Sequence, residues 1–531
     1  MTALAGTGQL VRLALRRDRF VLPPWLLVLG LLPAGVANAY EQLYPTEAMR
    51  EPLTATVGAN PALAVLLGPA FDLSTPGGFT AWRLLGFHAV VVALMVIFTV
   101  TRHTRAEEET ARYELLASGV IGRYAPLTAA VLVSVGAVTL GGAFAVSLLL
   151  AAGLPVAGSV AYGAALAAAG WTFTGVAAIA AQLVPFARTS NGIATGVLGA
   201  AFLLRGLGDA SGEVGWLSWL SPVGWAQQLR PFAGERWWVL ALSAVVAVGT
   251  LGVGYVLLGR RDAGAGILAE RIGRTHAAPS LRSPLALAWR LHRGSLIGWS
   301  IGVAISGAAF GAIALGIGDL IGDNPTMREI FMRMGGSEVV IDAFLAQIAG
   351  MFGMIVAFYG VQAALRARGE EVVTRLEPVL ATSVTRLRFV TSHLVFALVG
   401  SAVVLLAAGL GAGVAHGLRA GDVAGNAGAM LGAALVQLPA IWLVVGVAVV
   451  LYGFAPRRTS AAWGIAAGFV LLALFGPVLN LDPALVDVSP FSHVPRLPSA
   501  DVAVAPLVWL TALAAVLFAA GLAAFRRRDI G

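Results

Sequence analysis

Apolar residues in this chain come in long unbroken blocks, unlike the alternating or one-faced patterns of soluble strands and helices. A helix needs about 20 mostly apolar residues to cross a bilayer core of ~30 Å. Blocks of that kind fall near 21–39, 84–101, 126–151, 158–184, 191–208 and 237–259 in the first half. In the second half they fall near 294–318, 342–365, 390–414, 428–453, 461–480 and 505–525. The block at 191–208 is the most ambiguous, because Arg205 and Asp209 crowd its end. The pattern predicts an all-α polytopic membrane protein of about 12 transmembrane helices, with both termini cytoplasmic. Longer polar stretches, 40–82 and 319–341, follow the first block of each half and are expected outside.

The polar segments repeat as the blocks do. RAEEETARYELLASGVIGR runs from Arg105 and RGEEVVTRLEPVLATSVTR from Arg368, each after the second block of its half. Aligned without gaps, Glu107, Glu108, Arg112 and Glu114 fall on Glu370, Glu371, Arg375 and Glu377. Three more stretches match. LRRDRFVLPPW parallels WRLHRGSLIGW, PFARTS at 185–190 parallels APRRTS at 455–460, and WLSPVGWAQQLRP at 219–231 parallels VSPFSHVPRLP at 488–498. The chain therefore divides into a six-span module at 1–262, a linker at 263–288 and a second module at 289–531. Six spans bring each module back to its starting side, so the repeats are expected to be parallel.

Composition agrees with this class. The chain is 58% hydrophobic and 12% charged, against about 25% charged for a soluble domain. Gly307 and Gly311 form a small-xxx-small pair suited to close helix contact. Every basic residue is Arg, and without Lys there can be no Walker A phosphate loop. Cysteine is absent, which excludes thiol nucleophiles and thiolate metal sites. Arg clusters at 16–19, 260–261, 457–458 and 526–528 all fall on the side expected to be cytoplasmic. That bias accounts for the net charge of +8 without nucleic-acid binding. With Arg16, Arg17 and Arg19 before it and no clear cleavage site after it, the first block reads as an anchor.

The duplicated acidic segment is helix-prone, with Glu108 and Arg112 at i,i+4 spacing and Tyr113, Leu116 and Val120 available for a small apolar patch. It reads either as a docking surface for a soluble partner or as a solvated loop. An ion-coupled carrier would keep ionisable groups within the membrane. His88 is the one such group noted at mid-depth, beside neutral Gln182, Gln347, Gln362 and Gln437. Outer carboxylates are dispersed and the seven His are scattered without metal-ligand spacing, which argues against an intrinsic enzyme.

The stretch R-x-E-E-x-x-x-R-x-E, present twice between apolar spans, resembles the inner loop of type-two ABC exporter permeases. A fused, Arg-rich, twelve-span chain without its own ATPase is similar to actinobacterial polyketide-antibiotic permeases of the tetronasin-resistance kind. The resemblance implies an export subunit of the bacterial cytoplasmic membrane for hydrophobic or amphipathic compounds. It implies two copies of a separate ABC ATPase that hold the ATP and Mg, with no cofactor on this chain. The ATPases would dock on loops 102–125 and 366–390, with Glu107, Glu108, Arg112, Glu114, Glu370, Glu371, Arg375 and Glu377 as coupling residues. In copy two, Pro378 and Val379 replace Leu115 and Leu116, so a shorter or kinked helix is expected there. The second and fifth spans should line the cavity, which nominates Phe87, His88, Phe202, Gln347, Met351, Phe352, Met354 and Phe358. A twelve-span ion-coupled efflux carrier is the alternative.

Overall fold

Lipid offers an exposed backbone no hydrogen-bonding partner, so apolar runs of this length fold as helices that satisfy their own amides. A computed structural model describes residues 3–47, 49–50, 53, 61–110, 119, 121–210, 212–262, 264–268, 275–322, 337–475 and 482–528. Among these residues there are helices and turns but no strand. The chain forms two compact units, Met1–Ile272 and Gly273–Gly531. The first holds α1 (Thr7–Asp18), α2 (Leu22–Leu43), α3 (Pro61–Leu67), α4 (Pro76–Arg102), α5 (Arg105–Glu109) and α6 (Ala125–Ala151). It continues with α7 (Val156–Leu183), α8 (Ala187–Ala210), a 3₁₀ stretch at Gly212–Leu220, α9 (Pro222–Gln228) and α10 (Trp238–Arg260). The second holds α11 (Pro284–Gly322), α12 (Ser337–Val372), α13 (Leu376–Leu380), α14 (Arg386–Ala420) and α15 (Val423–Leu435). It ends with α16 (Leu438–Phe454), α17 (Ala461–Phe475), α18 (Pro483–Val486) and α19 (Val504–Arg527).

Among the described residues, ten helical segments are long and apolar enough to cross a membrane, and the chain is an all-α polytopic membrane protein. The other two expected spans, 191–208 and 461–480, fall on α8 and α17. Arg188, Asn191, Arg205 and Asp209 dilute the apolar character of α8. Only 15 residues of α17 are described, since 476–481 lie outside the described residues.

The two units pack their helices in the same order. In the first, α2 packs on α6, α6 on α7, and α7 on both α4 and α10. In the second, α11 packs on α14, α14 on α15, and α16, which continues α15 across a break at Val436, on both α12 and α19. Small residues set these distances, as dispersion and close backbone approach must do in lipid. A Cβ on Gly142 would meet the carbonyl of Gly163, and one on Gly163 would meet that of Gly142, so α6 and α7 touch backbone to backbone. The Gly307–Gly311 pair of α11 likewise faces the backbone of Ala408 and Ala412 on α14.

The repeat extends to single hydrogen bonds. Ser221 and Ser489, the serines of the two matched Ser-Pro sequences, are both fully buried. Each donates its hydroxyl to a main-chain oxygen of the fifth helix, Ala201 at 2.7 Å and Phe469 at 2.8 Å. In the first unit the chain after Ser221 folds back as α9, and this end is closed by buried polar contacts. Arg205, fully buried on α8, donates to the Val65 carbonyl at 2.7 Å and lies 3.5 Å from Asp209 and 3.3 Å from Gln227. Gln227 in turn donates to the Leu67 carbonyl, and Trp82 to that of Gly68. Three tryptophans cluster at this end of the unit: Trp216 is exposed and Trp219 stacks on Trp238. Trp225 is buried and donates to the Trp219 carbonyl.

Candidate functional site

The repeated charged segments start where the second helix of each unit stops being apolar. Past Arg102, α4 breaks at His103 and Thr104, and α5 begins at Arg105. Glu108 of α5 turns inward. It accepts from Arg261 at 2.6 and 3.0 Å, from Arg105 at 2.8 Å and from the Gly264 amide at 3.2 Å. Arg261 is the residue directly after α10, and its Nε donates to the Gln182 side chain at the end of α7, 2.7 Å away. Arg105 is fully buried and reaches the Ala181 carbonyl. One carboxylate thus ties together the ends of the second, fourth and sixth helices.

The second unit builds the same knot. Glu371 accepts from Arg528 at 2.7 Å on both oxygens and from Arg368 at 2.8 Å. Arg528 directly follows α19 and donates to the Tyr452 carbonyl near the end of α16. The arginine that closes each repeated segment returns to the same place. Arg123 donates to the main-chain oxygen of Arg261 at 2.8 Å, and Arg386 to that of Arg528 at 2.7 Å. A cation there also suits the partial negative charge at a helix C-terminus. Each segment is therefore clasped at both ends to the residue that follows the sixth helix.

The remaining carboxylates divide by role. Glu107 pairs with Arg17 of α1 at 2.6 Å, and Glu109 accepts from the first amide of α8 at 3.1 Å. Asp18, buried at the end of α1, pairs with Arg102 at 3.0 Å and with His103. Glu370 is buried and pairs with Arg366 one turn earlier, at 3.0 Å. Glu107, Glu108, Glu370 and Glu371 are thus held by the chain itself. The expected pairing of Glu108 with Arg112 falls on a residue outside the described ones. Arg112, Glu114, Tyr113, Leu116 and Val120 lie outside the described residues. Arg375 and Glu377 are exposed, at the start of α13.

The second segment carries the expected short helix. α12 ends in a Schellman turn, in which the Arg375 amide bonds the Glu370 carbonyl and the Thr374 amide that of Glu371, both at 3.0 Å. The left-handed position, normally Gly, is Thr374 with φ 57°. α13 then runs for five residues with Leu376 buried beneath it and Pro378 inside it. A β-branched residue in this conformation costs about 1–2 kcal/mol. Thr374→Gly is expected to raise the melting temperature by roughly 2 °C in detergent, read by tryptophan fluorescence. An unchanged or lower value would show that the turn is not strained.

A second feature lies within the first unit, between α4 and α8. An open apolar cavity of about 720 Å³ is lined by Leu84, Phe87, Val90, Leu94, Leu198, Gly199 and Phe202, with Leu67, Arg83 and Thr195 at its edges. Phe87 and Phe202 face it, but His88, one residue on, points the other way. His88 is fully buried and lies 2.8 Å from the Tyr162 hydroxyl of α7. In the second unit, Gln347 is exposed, Met351 is half-buried, and Phe358 stacks on Trp463 of α17. Phe352 and Met354, nominated with them, are buried, and Phe352 packs edge-on against Phe310 of α11. Phe352, one residue from Met351, faces another way on the helix, whereas Met354 is buried despite standing one turn from both Met351 and Phe358.

Residues 281–526 match the family model for the C-terminal domain of the multidrug efflux system permease Rv1217c. Over 530 residues, all of this chain and 96% of the relative, the chain is 47% identical to the multidrug efflux system permease protein Rv1217c of Mycobacterium tuberculosis.

Proposed function

The chain belongs to the family of the multidrug efflux system permease Rv1217c, a multi-pass protein of the cytoplasmic membrane, and from that premise we propose that it is the membrane subunit of an ATP-driven ABC exporter. It carries hydrophobic or amphipathic compounds outward, and separate ATPase subunits, one under each repeated segment, hold the ATP and Mg. The observation that carries this reading is the doubled clasp. A loop fixed at both ends to the sixth helix, and through Glu108 or Glu371 to the second and fourth, is built to pass a push from below into three helices at once. Buried ion pairs serve such a role better than they serve stability, because their desolvation offsets much of their attraction. An ion-coupled carrier leaves the duplication of this clasp without a purpose.

In this reading the inward glutamates carry force and do not touch the ATPase. Contact falls to the exposed Arg375 and Glu377 on α13 and to the matching Arg112 and Glu114. The apolar cavity between α4 and α8, with Phe87 and Phe202 on its surface, receives the compound. Aromatic lining suits varied apolar shapes, and cavities of about 300–1,000 Å³ suit drug-sized molecules.

The test is gentle purification of the tagged chain from its native membrane. A stoichiometric protein with a Walker A motif should accompany it. Glu114→Ala with Glu377→Ala should weaken that association severalfold and lower substrate-stimulated ATP hydrolysis, with membrane insertion unchanged. Recovery of the chain alone, with efflux following a proton gradient, would overturn the proposal.

A further inference from the structure

Arg83 is the one charged side chain on the apolar length of α4 before its terminal Arg102. It stands one helical turn from Phe87, is exposed, and edges the cavity between α4 and α8. No acidic side chain among the described residues pairs with it. Among the described residues it lies near the Phe79 ring, 5.9 Å from the guanidinium carbon and at the outer limit of a cation–π contact. Contrast Arg205, which is buried nearby among a carboxylate, an amide side chain and a carbonyl. Thr195, the other polar side chain at the cavity, gives its hydroxyl hydrogen to the Asn191 carbonyl at 2.7 Å. Arg83 is therefore the one strong donor that the cavity offers to an occupant.

Arg83 stands at the end of the second span, one residue before the apolar block at 84–101, where a guanidinium reaches the polar interface and can pair with an anion there. The nine other residues at this cavity hold no carboxylate that could serve as partner. We propose that the cavity takes amphiphiles bearing an anionic group, the apolar surface holding the body and Arg83 the anion. The offset that pairs Arg105 with Arg368 puts Ala346 in the place of Arg83, so the second unit lacks this charge. The inference rests on the reading of this cavity as part of the export path.

The full-length chain in phosphatidylcholine nanodiscs would be titrated with 12-(1-pyrenyl)dodecanoic acid and with its methyl ester, binding being read by energy transfer from tryptophan. The acid should bind about tenfold tighter than the ester, the change expected of one partly desolvated ion pair. Arg83→Gln should bring the acid's affinity down to that of the ester, while Arg83→Lys keeps most of the preference. Gly199→Trp, at a position where an added Cβ meets nothing within 4 Å, should fill the cavity and lower binding of both probes. Equal binding of acid and ester, or a preference that survives Arg83→Gln, would sink the anion inference while leaving the cavity intact. Unchanged binding of both probes to Gly199→Trp would remove the cavity itself. If phosphatidylglycerol in the nanodisc displaces the acid and Arg83→Gln loses co-purified phosphatidylglycerol, the anion is a lipid headgroup, and the substrate inference falls.

Discussion

Glu371→Arg is expected to abolish efflux while the chain still reaches the membrane. The substitution puts a third guanidinium between Arg368 and Arg528, which now share the carboxylate at 2.8 and 2.7 Å. Removing one partner from a pair largely withdrawn from water costs about 3 kcal/mol, and like-charge repulsion adds to that. The cost falls on the junction of α12, α16 and α19, at the ends of the apolar lengths that insert these helices. Glu108→Arg should act alike in the first unit, where Arg105 and Arg261 are both buried. The informative variant is the exchange Glu371→Arg with Arg528→Glu. It restores opposite charges across the same gap and should recover part of the efflux lost in the single variant. Cellular drug accumulation, with the amount of any co-purifying ATPase, separates loss of coupling from loss of the proposed partner. Wild-type efflux by Glu371→Arg would show that the clasp transmits nothing.

Arg205→Met should be the most damaging single change to the fold of the first unit. Its guanidinium serves the Val65 carbonyl, Gln227 and Asp209 at once, and Asp209 also accepts from Ser218 at 2.6 Å. Removing it strands a buried carboxylate and a buried carbonyl, a loss of about 3–5 kcal/mol. For a unit of this size that lowers the melting temperature by roughly 10 °C. Arg205→Lys should fall between, since an ammonium cannot span three acceptors in the plane of a guanidinium. Melting of the detergent-purified variants checks the order. Equal stability of Met and wild type would show that α3, α8 and α9 hold together by packing alone.

Helices and duplication were legible because both are written in patterns longer than local errors. Apolar runs mark the helices, and a gapless nineteen-residue match marks the repeat. The direction of side chains was not. A helix apolar on all sides carries no preferred face, so His88, Phe352 and Met354 could not be told from Phe87 and Met351. The inward turn of Glu108 and Glu371 was hidden for another reason. Their partners, Arg261 and Arg528, end the sixth helices about 150 residues away and read there as topology signals alone. The clue lay in position: each closes the last apolar run of its half, as each glutamate closes the second.

Because Glu108 and Arg123, like Glu371 and Arg386, anchor both ends of a segment to one helix terminus, the sequence between them can vary as a cassette. Insertions, a proline such as Pro378, or a changed charge can alter the surface of the segment without moving its fixed ends. One chain thus carries two segments of different sequence on a single inherited mount.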